Sequence, residues 1–80
     1  MLQSDTQHEL GKFLKSLENA DEVYFTLNGA VITGQFAKTE DVNKIIELYN
    51  STTSTGGSTV ETGDAFIPRE QVIAWGNLGD

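Results

Sequence analysis

Apolar and polar positions alternate most clearly over residues 23–37, Val23-Tyr24-Phe25-Thr26-Leu27-Asn28-Gly29-Ala30-Val31-Ile32-Thr33-Gly34-Gln35-Phe36-Ala37. Two runs of strand-forming residues flank Asn28-Gly29, a strong hairpin signal. A two-residue loop sets Leu27 opposite Ala30, Phe25 opposite Ile32 and Val23 opposite Gly34. Side chains alternate across a strand, so Val23, Phe25, Leu27, Ala30, Ile32, Gly34 and Phe36 share one face, which is almost wholly apolar. Tyr24, Thr26, Val31, Thr33 and Gln35 share the other, which is mixed. The first face predicts a core, the second solvent or a docked helix. A type I′ turn is expected, because asparagine tolerates and glycine freely adopts the positive φ it needs at both central positions. Gly34 weakens a strand unless a sharp bend or close approach requires it. It predicts a strand bent enough to curl a small sheet into a barrel.

Ahead of the hairpin, the period changes. Leu10, Phe13, Leu14 and Leu17 fall at i, i+3, i+4 and i+7, one apolar stripe of a helix over residues 4–19. Ser4 and Gln7 form a capping box. Asp5 and Glu9 suit the positive end of the dipole, and Lys12 and Lys15 the other end. Gly11 costs about 1 kcal/mol relative to alanine and admits close packing. Asn19-Ala20-Asp21 ends the helix, which is expected to lid one open end or face of the sheet.

Residues 39–50 read two ways. Val42, Ile45, Ile46 and Tyr49 keep helical spacing behind a Thr39 cap. The same residues make a strand with Ile46 and Leu48 inward after a turn at Glu40-Asp41. Local spacing leans to helix, and a meander that needs a third strand leans to strand. Residues 51–64 are polar and rich in threonine. They predict a hairpin loop on extended arms, with Gly56-Gly57 at the tip and a bulge or second turn at Gly63-Asp64. Ala65-Phe66-Ile67 is a short strand ended by Pro68, which cannot donate to a ladder. Arg69-Glu70-Gln71 is a tight turn. Val72-Ile73-Ala74-Trp75 is the last strand, ended by Gly76-Asn77, and the tail 78–80 is loose. Trp75 suits a core margin or a subunit interface, where its indole N–H finds a partner.

Eighty residues make one domain. Such a chain buries only roughly 60–65% of its unfolded surface, and one core of this size supplies about 3–5 kcal/mol. Small domains usually add a staple. The chain has no cysteine, so neither a disulfide nor a thiolate metal site is available, and self-association is the staple expected. Twelve acidic residues against five basic ones give a net charge of −7. Nucleic-acid binders carry a basic footprint, so the charge disfavours RNA. Met1-Leu2-Gln3-Ser4-Asp5 has no basic leader and no long apolar run follows, so neither a secretory signal nor a membrane span is expected and the default compartment is cytoplasmic. Asn50-Ser51-Thr52 fits a glycosylation acceptor, a match without weight in that compartment.

The pattern resembles the Sm-like family, whose members carry an N-terminal helix before five bent antiparallel strands in a small open SH3-like barrel. Residues 23–34 are similar to the first Sm motif, an alternating strand, a turn ending in glycine and a second glycine five residues on. Glu40 or Asp41 with Asn43 stands for its acidic residue and asparagine. Phe66-Ile67-Pro68-Arg69-Glu70-Gln71-Val72-Ile73-Ala74 is similar to the second motif, two apolar strands around a short basic turn. The resemblance implies a mainly β fold over 22–77 and a ring in which the fourth strand of one copy pairs with the fifth of the next. Phe66, Ile67, Val72, Ile73 and Trp75 then lie at the subunit border. Physics agrees, because pairing removes the liability of open edges. The resemblance further implies single-stranded RNA near Asn43 and Arg69. Two departures stand out. Asp41, two residues before Asn43, is no base-stacking side chain, and Pro68-Arg69 stands where the family has Arg-Gly.

Two functions follow. One is an Sm-like oligomer that binds single-stranded RNA weakly or selectively. The other is an acidic protein–protein interaction or assembly module with no nucleic acid. An enzyme is not expected. Nucleophilic catalysis needs a base beside its nucleophile, and His8, the only histidine, reads as a surface residue. Asp21-Glu22 and Glu40-Asp41 read as hydrated acids, and no metal-ligand spacing or cofactor motif occurs.

Overall fold

Pairing around Asn28-Gly29 follows the register that the alternation dictates. In the computed structural model, which describes residues 2–79 with side chains from Asp5 onward, β1 (Glu22–Leu27) and β2 (Ala30–Ala37) pair antiparallel. Val23 lies opposite Gly34, Phe25 opposite Ile32 and Leu27 opposite Ala30. The turn itself is not type I′. Gly29 has a φ of 85° while Asn28 stays outside the left-handed region, and a positive φ at the second central residue alone is the type II pattern. A left-handed backbone costs a residue with a Cβ more than it costs glycine, so the glycine takes that conformation alone. Both central residues are left-handed at the other tip instead, where Gly56 and Gly57 have φ of 53° and 90°.

The helix α1 spans Leu2–Ser16, so it starts before Ser4 and ends three residues short of Asn19. The Ser4 cap lies outside the residues whose side chains are described. The early end has a cause in hydrogen bonding. The Glu18 amide donates to the Asp21 carboxylate at 2.8 Å. Ala20, with a φ of 76°, gives its amide to the Phe36 carbonyl at 2.8 Å. Residues 17–21 thereby tie the helix to β2 rather than prolong it. The helix lids the apolar face, with Leu10 and Leu14 and, just past its end, Leu17 buried among Val23, Phe25, Phe36, Ile46, Leu48, Ile67 and Val72. Phe13 meets the Phe25 ring edge-on at 6.2 Å and the Trp75 ring at 6.1 Å.

Residues 39–50 divide. A turn carries the chain to Lys44, held by the Lys44 and Ile45 amides donating to the Asp41 carbonyl at 2.9 Å. The strand β3 (Ile45–Thr55) follows, with Ile46 and Leu48 inward. The partner strands decide against the helical spacing, because β3 pairs with β2 on one side and with β4 (Ser58–Pro68) on the other. The expected polar loop at 51–64 is therefore mostly the two arms of one hairpin, with only Gly56-Gly57 as loop. Hydroxyls join the arms across the ladder: Ser51 to Thr62 at 2.8 Å, Thr53 to Thr62 at 3.2 Å and Ser54 to Thr59 at 3.0 Å. Cross-strand hydroxyl pairs of this kind stabilise a sheet without an apolar face. The bulge expected at Gly63 is present, with a φ of 65° and a register shift opposite Ser51.

β4 ends at Pro68, and Arg69–Gln71 form one 3-10 turn. The sequence puts the last strand at Val72–Trp75, but pairing with β1 runs over β5 (Ala74–Asn77). Val72 closes the turn through its amide to the Arg69 carbonyl at 3.2 Å and buries its side chain. Gly76 does not end the strand. It lies opposite Tyr24, whose ring fills the space a Cβ would take. The tail is tied at its first residue, since the Leu78 amide donates to the Glu22 carbonyl at 2.7 Å.

All pairings are antiparallel and the strand order is β4-β3-β2-β1-β5. The sheet therefore ends on β4 and on β5, and among the described residues neither outer edge has a partner. β2 bends at Gly34, where the register with β3 shifts between Thr33 and Gln35.

Candidate functional site

Three elements that are distant in sequence meet at Arg69. The turn after β4 carries Arg69, the turn before β3 carries Asn43 and Lys44, and α1 carries Gln7 and Gly11. Backbone pairing sets the first two side by side, with the Arg69 amide donating to the Lys44 carbonyl at 3.0 Å. The two residues singled out by sequence, Asn43 and Arg69, are thus brought together, Arg69 Nη1 donating to Asn43 Oδ1 at 3.4 Å.

The helix supplies what the sequence did not assign to this site. Arg69 Nε donates to Gln7 Oε1 at 3.1 Å, Arg69 Nη2 donates to the Gln7 carbonyl at 2.8 Å, and Gln7 Nε2 donates back to the Arg69 carbonyl at 3.2 Å. One turn on, a Cβ on Gly11 would come within 2.8 Å of Arg69 Nη2. Gly11 is the space into which the guanidinium sits. The signal was present in the sequence: a glycine inside a helix, four residues from an amide side chain and so on the same face. Nothing local said which group would use that space. Gln7 reads naturally as a capping residue until the helix is found to begin before Ser4.

Around this contact Gln7, Asn43, Lys44, Ile45, Pro68, Arg69 and Glu70 line an open cleft of about 390 Å³. It offers two cations, Lys44 and Arg69, against one carboxylate, Glu70, a local balance opposite to that of the whole chain. The turn residue Arg69 is bonded to amides and a carbonyl rather than to an acid. Among the described residues, no cluster of histidine, aspartate and glutamate has the arrangement to hold a metal ion. The ion pair found there, Lys12 with Glu9 at 3.6 Å, is exposed on α1 and so contributes little.

Gly11→Ala separates the seat from the helix. Alanine favours the helix by about 1 kcal/mol, and the atom it meets is the far end of a flexible side chain. The expected result is an unchanged or slightly raised urea midpoint together with loss of the Arg69–Gln7 contacts, read from the arginine Nε–H resonance.

The edge residues divide. Phe66 and Ile73 are 62% and 58% exposed. Ile67 and Val72, expected beside them at the subunit border, are 1% and 4% exposed, so their side chains belong to the core of this copy. Trp75 is half-buried under Phe13. Val60 on β4 and Leu78 just after β5 are also exposed. Four of the exposed large apolar residues thus lie on or beside the two open edges.

No family model matches the chain, and no curated protein matches it. Among solved structures it is similar to a heptameric archaeal Sm protein, with a TM-score of 0.68 at 16% identity over 85% of this chain and 98% of that one. It is similar to the Sm protein of Pyrococcus abyssii in complex with a uridine heptamer, with a TM-score of 0.64 at 20% identity over 85% of this chain and 94% of that one. It is also similar to a chain of the NatC complex bound to CoA, with a TM-score of 0.63 at 16% identity over 71% of this chain and 74% of that one. An N-terminal helix over a bent five-stranded antiparallel sheet, open at β4 and β5, agrees with these likenesses: the chain has the Sm-like fold.

Proposed function

We propose that the chain is a subunit of a homo-oligomer in which β4 of one copy pairs with β5 of the next, and that the Asn43–Arg69 cleft, repeated around that assembly, binds single-stranded RNA weakly and selectively. One observation carries the reading. The sheet ends on two strands whose outer edges have no partner among the described residues and whose borders hold Val60, Phe66, Ile73 and Leu78 in solvent. Edges of this kind template pairing with another chain, and an 80-residue chain without cysteine gains most from it. The similar archaeal Sm protein is a heptamer and the similar Pyrococcus protein was solved with a uridine heptamer. Repetition would set Lys44 and Arg69 of every copy around one assembly, a local excess of cations at each cleft, while the net charge per copy stays the same.

A second reading is an acidic assembly module that binds protein and no nucleic acid. Two observations favour it: the net charge of −7, and the use of Arg69 donors inside the chain. The same fold in a chain of the NatC complex is in keeping with it.

Light scattering and filter binding separate the two. The first reading expects a mass several times that of the monomer, together with oligo-uridylate binding that falls with salt by about 0.7 in log K per log salt for each phosphate contact. Arg69→Ala is expected to remove that binding while leaving the mass unchanged. An oligomer whose RNA signal is absent at all salt concentrations leaves the second reading. A monomer at micromolar concentration overturns the first reading.

A further inference from the structure

We propose that Gln7 sets the affinity of the Asn43–Arg69 cleft by occupying Arg69 in place of a nucleic-acid acceptor, an inference that rests on the RNA reading above. A guanidinium has five N–H donors in a fixed fork and grips a phosphate or a base edge through two neighbouring nitrogens at once. The Nε/Nη2 edge is taken whole by Gln7, by its side-chain oxygen at 3.1 Å and its backbone carbonyl at 2.8 Å. On the Nη1/Nη2 edge each nitrogen already gives one hydrogen away, Nη1 to Asn43 Oδ1 at 3.4 Å and Nη2 to Gln7. Asn43 Oδ1, the acceptor of that side chain, is engaged by the same contact. What the cleft still presents is one N–H on each terminal nitrogen, the Asn43 amide N–H groups and the Lys44 ammonium, beside the Glu70 carboxylate.

Gln7 also has the chemistry of the ligand it keeps out. A primary amide sets a carbonyl acceptor next to an N–H donor, as the pairing edge of a nucleobase does. Here its acceptor takes Arg69 Nε–H while its donor meets the Arg69 carbonyl at 3.2 Å. Gly11 leaves the guanidinium room to lie against the helix in this position. A phosphate or base that grips Arg69 side-on, through Nε and Nη2, must displace Gln7, and its binding free energy is reduced by the cost of opening that clasp. Affinity then depends on α1, an element outside the two turns that form the rest of the cleft.

The test uses the full chain and a fluorescein-labelled oligo-uridylate, read by anisotropy at one low salt concentration. Gln7→Ala is expected to bind about fivefold tighter or more, the lower bound of ordinary coupling between sites. Gln7→Glu is expected to bind more weakly than His8→Glu. Both add one negative charge to the same stretch of helix, but only the former aims a carboxylate at Arg69. Circular dichroism melts accompany each variant. If Gln7→Ala loosens the helix, the comparison of Gln7→Glu with His8→Glu decides alone. Wild-type binding that Arg69→Ala removes and Gln7→Ala leaves equal or weaker overturns this inference and keeps the RNA reading. Equal weakening by the two glutamates overturns it as well. Failure of wild type and all variants to bind overturns the RNA reading and the inference with it.

Discussion

Phe66→Lys is expected to turn an oligomer into a folded monomer. Phe66 lies on β4, the outermost strand at one end of the sheet, with 62% of its surface in solvent. Nothing in the core depends on it, so its removal costs the isolated fold little. Lysine suits the site in the monomer for a specific reason. Glu47 is directly opposite on β3, and an opposite-charge pair across a ladder contributes roughly 0.2–1 kcal/mol. In the assembly the same ammonium would have to enter the border with the neighbour's β5, where Ala74, Trp75, Gly76 and Asn77 offer no acid. Burying a charge without a partner costs several kcal/mol, and the penalty recurs at every interface. Natural edge strands use lysine to the same end. The expected result is a monomer mass by light scattering, with a urea midpoint close to that of the isolated wild-type subunit. Retention of the wild-type mass would mean that the copies meet elsewhere than at β4. Ile73→Lys, on the β5 side, is expected to act in the same direction and identifies the partner edge.

Legibility in the sequence follows the range of the interactions. The β1–β2 register was readable because one short loop and one alternation fix it, and a slip by one residue would turn Phe25 to solvent. The bend at Gly34 was readable from a single glycine where the pattern called for a side chain. The course of residues 39–50 was not, because Val42, Ile45, Ile46 and Tyr49 satisfy the helical period while only β2 and β4 make them a strand. The turn at Asn28-Gly29 also departs from the expected type I′. Asn28-Gly29 can form type I′ but leaves the left-handed conformation to the glycine, whereas Gly56-Gly57 adopts it twice. At the candidate site, Asn43 and Arg69 could be paired in advance through their resemblance to family motifs. Gln7 could not, since its partner is at the far end of the chain and its own position reads as part of a cap. Ile67 and Val72 were placed at the border by strand position, which concerns the backbone, while their side chains turn inward.

The largest effect on the isolated fold is expected from Gly34→Val. A Cβ at this position would come within 2.9 Å of Ser51 Cβ, 3.1 Å of Ser51 Cα and 3.1 Å of the Tyr49 carbonyl oxygen. Two of those three atoms are backbone and cannot rotate aside. Ser51 is 2% exposed, and its hydroxyl donates to the Gly63 carbonyl at 2.6 Å with the Thr62 hydroxyl at 2.8 Å. The contact therefore joins the bend of β2 to the bulges of β3 and β4, and pushing Ser51 outward strains all three strands. Overpacking of this kind costs about 1–3 kcal/mol, and loss of the buried hydroxyl's bonds adds about 1 kcal/mol. Set against about 3–5 kcal/mol for a single core of this size, the variant is expected to keep little net stability outside an assembly. Gly34→Ala is expected to lower Tm by about 4–8 °C for each kcal/mol lost, measured by circular dichroism on a monomeric background. Ser51→Gly removes the nearest of the opposing atoms, so the double variant Gly34→Ala/Ser51→Gly should lose less stability than the two single variants added together. If the losses simply add, or if Gly34→Ala melts with wild type, the close approach of β2 to Ser51 does not hold the bend, and the curl of the sheet must come from the β3 and β4 bulges alone.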